Sequence, residues 1–126
     1  MKIYEIYTFY KFYHIIKSMD WYIIQYLYPR AFKRFTEIMF PNVGLPCVSL
    51  LTYFDQKKLY RFFDKEGVYL NVEMYNKHQW VFTISLENGM VFGPTEESKI
   101  SREDSENSGF IECFKVLEKK LAMVYE

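Results

Sequence analysis

The feature that most constrains this chain is a change of hydrophobic period at Gly67. Before it, Leu59, Phe62 and Phe63 recur at helical spacing. After it, Val68, Leu70, Val72 and Met74 alternate with Tyr69, Asn71, Glu73 and Tyr75. A period of two makes a strand apolar on one face only, so another part of the chain must cover that face. A second alternating run follows, with Trp80, Phe82, Ile84 and Leu86 set against Val81, Thr83 and Ser85. Asn76-Lys77-His78-Gln79 reads as a four-residue hairpin loop between the runs. Glu87-Asn88-Gly89 holds the Asn-Gly dipeptide that hairpin turns favour, and Met90-Val91-Phe92 reads as a short third strand before Gly93-Pro94. The expectation is a three-stranded antiparallel meander.

The flanking segments supply the cover. Asp20 can cap a helix from Trp21 to Tyr28, and Pro29 suits the first turn of a new one because its missing N–H costs little there. Phe32, Phe35 and Met39 make an apolar face, with Arg30, Lys33, Arg34 and Glu37 opposite, and Phe40-Pro41-Asn42-Val43-Gly44 ends the element. Thr52-Tyr53-Phe54-Asp55 has the pattern of a capping box, and Gly67 fits the left-handed position after that helix. Ser101 with Asp104 can open the last helix, whose stripe is Phe110, Phe114, Leu117 and Leu121 with Cys113 and Val124 beside it. Gly109, a weak helix former, puts an alternative start near Ser108. The fold class is α+β, with an N-terminal helical pair, a three-stranded antiparallel β-meander and a C-terminal helix packed on the sheet, in the order α-α-β-β-β-α.

Residues 1–18 stand apart. Tyr4, Tyr7, Tyr10 and Tyr13 recur every third residue, and the segment reads as an aromatic leader, an upstream extension of a single α+β domain spanning 19–126. Lys2, Glu5, Lys11 and Lys17 interrupt it, which does not suit a signal peptide. The longest uncharged run, Ile38 to Phe54, holds Pro41, Gly44 and Pro46, which does not suit a membrane span. Cys47 and Cys113 read as small buried hydrophobes, and a cytoplasmic location is expected.

Little in the chain points to catalysis. His14 and His78 are the two histidines, with His78 on the expected hairpin tip, and no zinc-binding spacing, P-loop or dinucleotide fingerprint occurs. No catalytic residue, metal site or cofactor is expected. Sixteen basic and sixteen acidic side chains give a net charge of zero, unlike a nucleic-acid-binding domain. Even so, Arg30, Lys33 and Arg34 share one helix face and Lys57, Lys58 and Arg61 another, so a nucleic-acid-binding accessory protein is the alternative reading. The helix-meander-helix order from Thr52 resembles that of a double-stranded RNA-binding domain. That family opens its second helix with lysines, where this chain has Ser101-Arg102-Glu103-Asp104.

Aromatic residues, at 21% of the chain, are more than a small core can hold. Tyr69 and Tyr75 stand on the polar face of the first strand, and Tyr22, Tyr26, Tyr53 and Tyr60 can also reach the surface. Tyrosine suits interfaces because it buries a large area while keeping a polar handle. Binding to a protein partner, or self-association, through Tyr69, Tyr75, Tyr22 and Tyr26 is the leading expectation.

The segments Met19-Asp20-Trp21-Tyr22-Ile23-Ile24-Gln25-Tyr26, Met39-Phe40-Pro41-Asn42-Val43-Gly44, Phe63-Asp64-Lys65-Glu66-Gly67 and Gly109-Phe110-Ile111-Glu112-Cys113-Phe114 resemble short uncharacterised proteins of crAss-like tailed phages. The resemblance covers roughly Met19 to Leu121. It implies a phage-encoded protein expressed in a bacterial host, a virion component or accessory adaptor, and carries over no active-site residue.

Overall fold

The computed structural model describes residues 19–42, 51, 54–92 and 101–124. The leader 1–18, Cys47, Thr52 and Tyr53 lie outside the described residues, whereas Met19, where the domain is expected to begin, is described and buried in the core. The fold is α+β. Helices α1 (Trp21–Leu27), α2 (Pro29–Met39) and α3 (Lys58–Lys65) precede an antiparallel hairpin of β1 (Val68–Asn76) and β2 (Gln79–Leu86), and α4 (Arg102–Val124) closes the domain. Of the short third strand expected at Met90-Val91-Phe92, the described residues show a two-residue segment, β3 (Val91–Phe92), paired against Ser85 and Ile84.

Local signals place most boundaries. The Asp20 carboxylate accepts from Tyr22 N–H and Ile23 N–H at 3.1 and 3.2 Å, capping α1. Pro29 opens α2. Gly67 has φ +74° and Gly89 φ +87°, the left-handed conformation that each turn requires. Ser101 Oγ accepts from Asp104 N–H at 3.1 Å, and α4 then runs from Arg102 through Gly109 without interruption, so the start near Ser108 is not used.

Gly109 stays because of what faces it. A Cβ there would stand 2.6 Å from Leu70 Cδ1 and 3.3 Å from Phe82 Cγ. Its missing side chain lets α4 lie close against β1 and β2.

Three further expectations are corrected. The helix expected from Thr52 begins at Lys58: Asp55 forms a turn, its carboxylate accepting from Lys57 N–H at 3.1 Å, and the helix starts beyond it. The first hairpin loop is the two residues Lys77 and His78, because Asn76 and Gln79 still pair. Met74 is exposed rather than buried, since it lies toward the hairpin end beside an irregularity in register between Met74 and Asn76.

The core is a continuous set of rings. Phe35 on α2 stacks on Trp21 at 5.0 Å and meets Phe54, Phe62 and Phe114 edge-on at 5.3, 5.4 and 5.8 Å. Phe63 continues the set, 4.9 Å from Phe114 and stacked on Phe110 at 6.3 Å. Such pairs add about 0.5–1.5 kcal/mol each beyond the area they bury. Of the stripe read from the sequence, Phe110, Phe114 and Leu117 are fully buried and Leu121 is partly buried against the core.

The last helix also ties down the ends of two others. Glu118 accepts from Arg30 N–H at 3.1 Å and Ala31 N–H at 2.8 Å, taking up the first amides of α2. Two residues on, Lys120 Nζ donates to the Glu66 carbonyl at the end of α3. The charges suit the helix dipoles, a carboxylate at an N-terminus and an ammonium at a C-terminus.

Candidate interaction surface

Helix α1 is apolar around most of its circumference but buries only one side. Trp21 and Ile24 enter the core, while Tyr22 and Tyr26, one turn apart, are 62% and 84% exposed, and Leu27 beside them is exposed too. A helix of this composition is ordinarily enclosed by protein. Leu27 was not singled out from the sequence, although the all-round apolar pattern of α1 was the signal.

The hairpin carries the other tyrosine pair. Tyr69 stands on the outer face with Asn71 and Glu73. Tyr75 is the extra residue in the irregularity, between Met74, paired with Trp80, and Asn76, paired with Gln79. Tyr75 is 72% exposed and Met74 57%. Tyr69 and Tyr75 are about 20 Å apart along the strand, from six residues at ~3.3 Å each. Helix α1 packs on α2 and α4, whereas the outer hairpin face turns away from α4. The two tyrosine pairs therefore form separate surfaces.

Tyr60, expected to reach the surface, is only partly exposed. Its ring meets Phe110 edge-on at 4.9 Å and its hydroxyl donates to Glu106 Oε2 at 2.7 Å. Burial, then this bond to a carboxylate, pushes the phenol well above its ordinary value. Cys113 is buried as expected, and burial followed by the Glu112 and Asp64 carboxylates pushes its thiol up. Both groups are held neutral in the fold, so their contribution is complete below the unfolded values of 9.0 and 10.0 and is lost as pH rises above them. Stability measured by denaturant titration should fall above about pH 9. Cys113→Ala and Tyr60→Phe should each make that fall shallower, and native Cys113 should resist alkylation. A wild-type profile flat to pH 11 would contradict both assignments.

All six basic candidates are exposed: Arg30, Lys33 and Arg34 on α2, Lys57 just before α3, and Lys58 and Arg61 on α3. Lys33 faces Glu37 at 4.0 Å, and Arg34 Nε is 2.7 Å from Glu66 Oε1. The second pair joins α2 to the end of α3 and gives Arg34 a structural partner, which lowers its value to a phosphate.

Two concavities are found among the described residues. One of about 650 Å³ lies between the Leu86–Met90 turn and α4, where Val116 and Met123 meet Glu112, Lys115 and Lys119. The other, about 390 Å³, is walled by Pro29, Phe32, Thr36 and Phe40 beside the Lys33–Glu37 pair. His78 sits exposed in the hairpin turn, its N–H donating to Asn76 Oδ1 at 3.1 Å. Among the described residues no group of three or more His, Cys, Asp or Glu could hold a metal ion, and no helix is long and apolar enough to cross a membrane. No protein-family model, curated protein or solved structure matches the chain.

Proposed function

We propose that this is a small non-enzymatic protein–protein interaction protein, phage-encoded, which serves as a virion component or accessory adaptor in the host cytoplasm or the virion. The observation that carries the reading is α1, where Tyr22, Tyr26 and Leu27 stand exposed opposite the buried Trp21 and Ile24. Leaving that much apolar surface in water is unfavourable, and covering it with a partner recovers the hydrophobic free energy. Tyr69 and Tyr75 add a second contact surface on the hairpin.

The test is affinity capture from the bacterial host with three baits. Tyr22→Ala/Tyr26→Ala should lose the partner that the wild type retains, with the fold unchanged by circular dichroism. A variant with Arg30, Lys33, Arg34, Lys57, Lys58 and Arg61 replaced by Gln should keep it. The reverse pattern, together with steeply salt-dependent binding to nucleic acid, would favour the accessory nucleic-acid-binding reading instead.

A further inference from the structure

Among the described residues the sheet order β1-β2-β3 leaves β1 at an edge. The opposite edge, β3, is two residues long, a length that discourages further pairing. Strand β1 presents nine residues whose sole charged side chain is Glu73, and it contains neither the lysines nor the proline that commonly protect an edge.

The direction of its backbone groups follows from the ladder. Leu86 N–H donates to the Met90 carbonyl at 2.8 Å, so the polar groups of Leu86 face β3. By the alternation of an antiparallel ladder, those of Ser85, Thr83 and Val81 face β1 and engage their partners Tyr69, Asn71 and Glu73. Val68, Leu70, Val72 and Met74 therefore turn their N–H and C=O groups outward. Among the described residues, no backbone hydrogen bond outside the sheet involves these four.

This edge is complementary to itself. We propose that β1 pairs antiparallel with β1 of a second copy of this chain, about a two-fold axis at Val72, joining the two sheets into one. Val72 then faces its own counterpart, and Leu70 faces Met74 of the second copy, each through outward-turned backbone groups. Between them, in the closer non-hydrogen-bonded position, Asn71 faces Glu73 of the second copy, and beyond Leu70 and Met74 the pairing sets Tyr69 opposite Tyr75, the extra residue of the irregularity. Moving the axis to Glu73 would oppose two carboxylates, and moving it to Asn71 would set Tyr69 against Glu73. The Val72 register alone pairs the tyrosines with each other, covers the exposed Met74 with Leu70, and gives each Glu73 a neutral amide neighbour. The proposal rests on the interaction reading above and names the partner of the hairpin tyrosines.

Sedimentation equilibrium on the full chain tests it. The wild type should be dimeric. Asn71→Glu opposes like charges at both symmetry-related positions and should weaken the dimer roughly tenfold. Adding Glu73→Asn exchanges the two side chains, restores the complementarity and should restore the dimer. A monomeric wild type, a dimer indifferent to Asn71→Glu, or a loss that the exchange does not repair would each overturn the pairing. The broader reading is judged separately: if the wild type is monomeric and Tyr22→Ala/Tyr26→Ala still loses the host partner, interaction through α1 stands and self-pairing through β1 does not.

Discussion

Phe35→Ala is expected to cost about 3–5 kcal/mol, the range for deleting a fully buried aromatic ring. Phe35 has no exposed surface, and its ring contacts reach α1 through Trp21, the turn before α3 through Phe54, α3 through Phe62 and α4 through Phe114. Its removal leaves a cavity bordered by four segments, none of which can move in without losing its other contacts. Typical domains have only about 5–15 kcal/mol in total, so the variant should be close to unfolding at ambient temperature. In urea the midpoint should fall by about 1 M or more at an unchanged slope. Phe40→Ala, at a half-buried ring 6.0 Å from Phe35, should cost less. A loss under about 1 kcal/mol for Phe35→Ala would mean that the core is not organised around this ring.

Glu118→Ala should be the next most damaging of the changes considered, at about 2 kcal/mol, within the range for losing hydrogen bonds to a charged acceptor and leaving donors unmatched. Helix α2 has no side-chain cap of its own: Tyr28 occupies that position without a capping bond, and Pro29 has no N–H. Both Arg30 and Ala31 amides instead depend on the one carboxylate. Glu118→Gln should be intermediate, because it keeps an oxygen acceptor but removes the negative charge at the helix N-terminus. Amide hydrogen exchange at Arg30 and Ala31 should quicken in both variants. Lys119→Ala, next to Glu118 but exposed, should change stability by less than about 0.5 kcal/mol. Equal effects at the two positions would show that the cap contributes nothing.

What the sequence made legible was local. Asp20, Pro29, Gly67, Asn88-Gly89 and Ser101 each act within a few residues of themselves, and each marks the element it was read to mark. The burial of Phe110, Phe114 and Leu117 followed from periodicity alone. What escaped was set across the chain. Glu118 looks like an ordinary surface acid until α2 is laid against it. Gly109 looks like a helix flaw until Leu70 and Phe82 occupy the space its side chain would need. Met74 keeps the alternating pattern yet stays exposed, because a pattern specifies which face a residue takes and not how far its cover extends. Of the candidate site, the exposure of Tyr22, Tyr26, Tyr69 and Tyr75 was legible, whereas their division between two surfaces needed the packing of α1 on α2 and α4.

The long-range cap also bears on the order of events during synthesis. Ala31 and Glu118 are 87 residues apart, so at translation speeds of about 5–20 residues per second roughly 4 to 17 s separate the two. Until α4 has been made, the leading amides of α2 have no Glu118 to bind and its aromatic face has no Phe114 to pack against. Stable closure of this domain is therefore a late event, timed by the arrival of its last helix rather than by the emergence of its first.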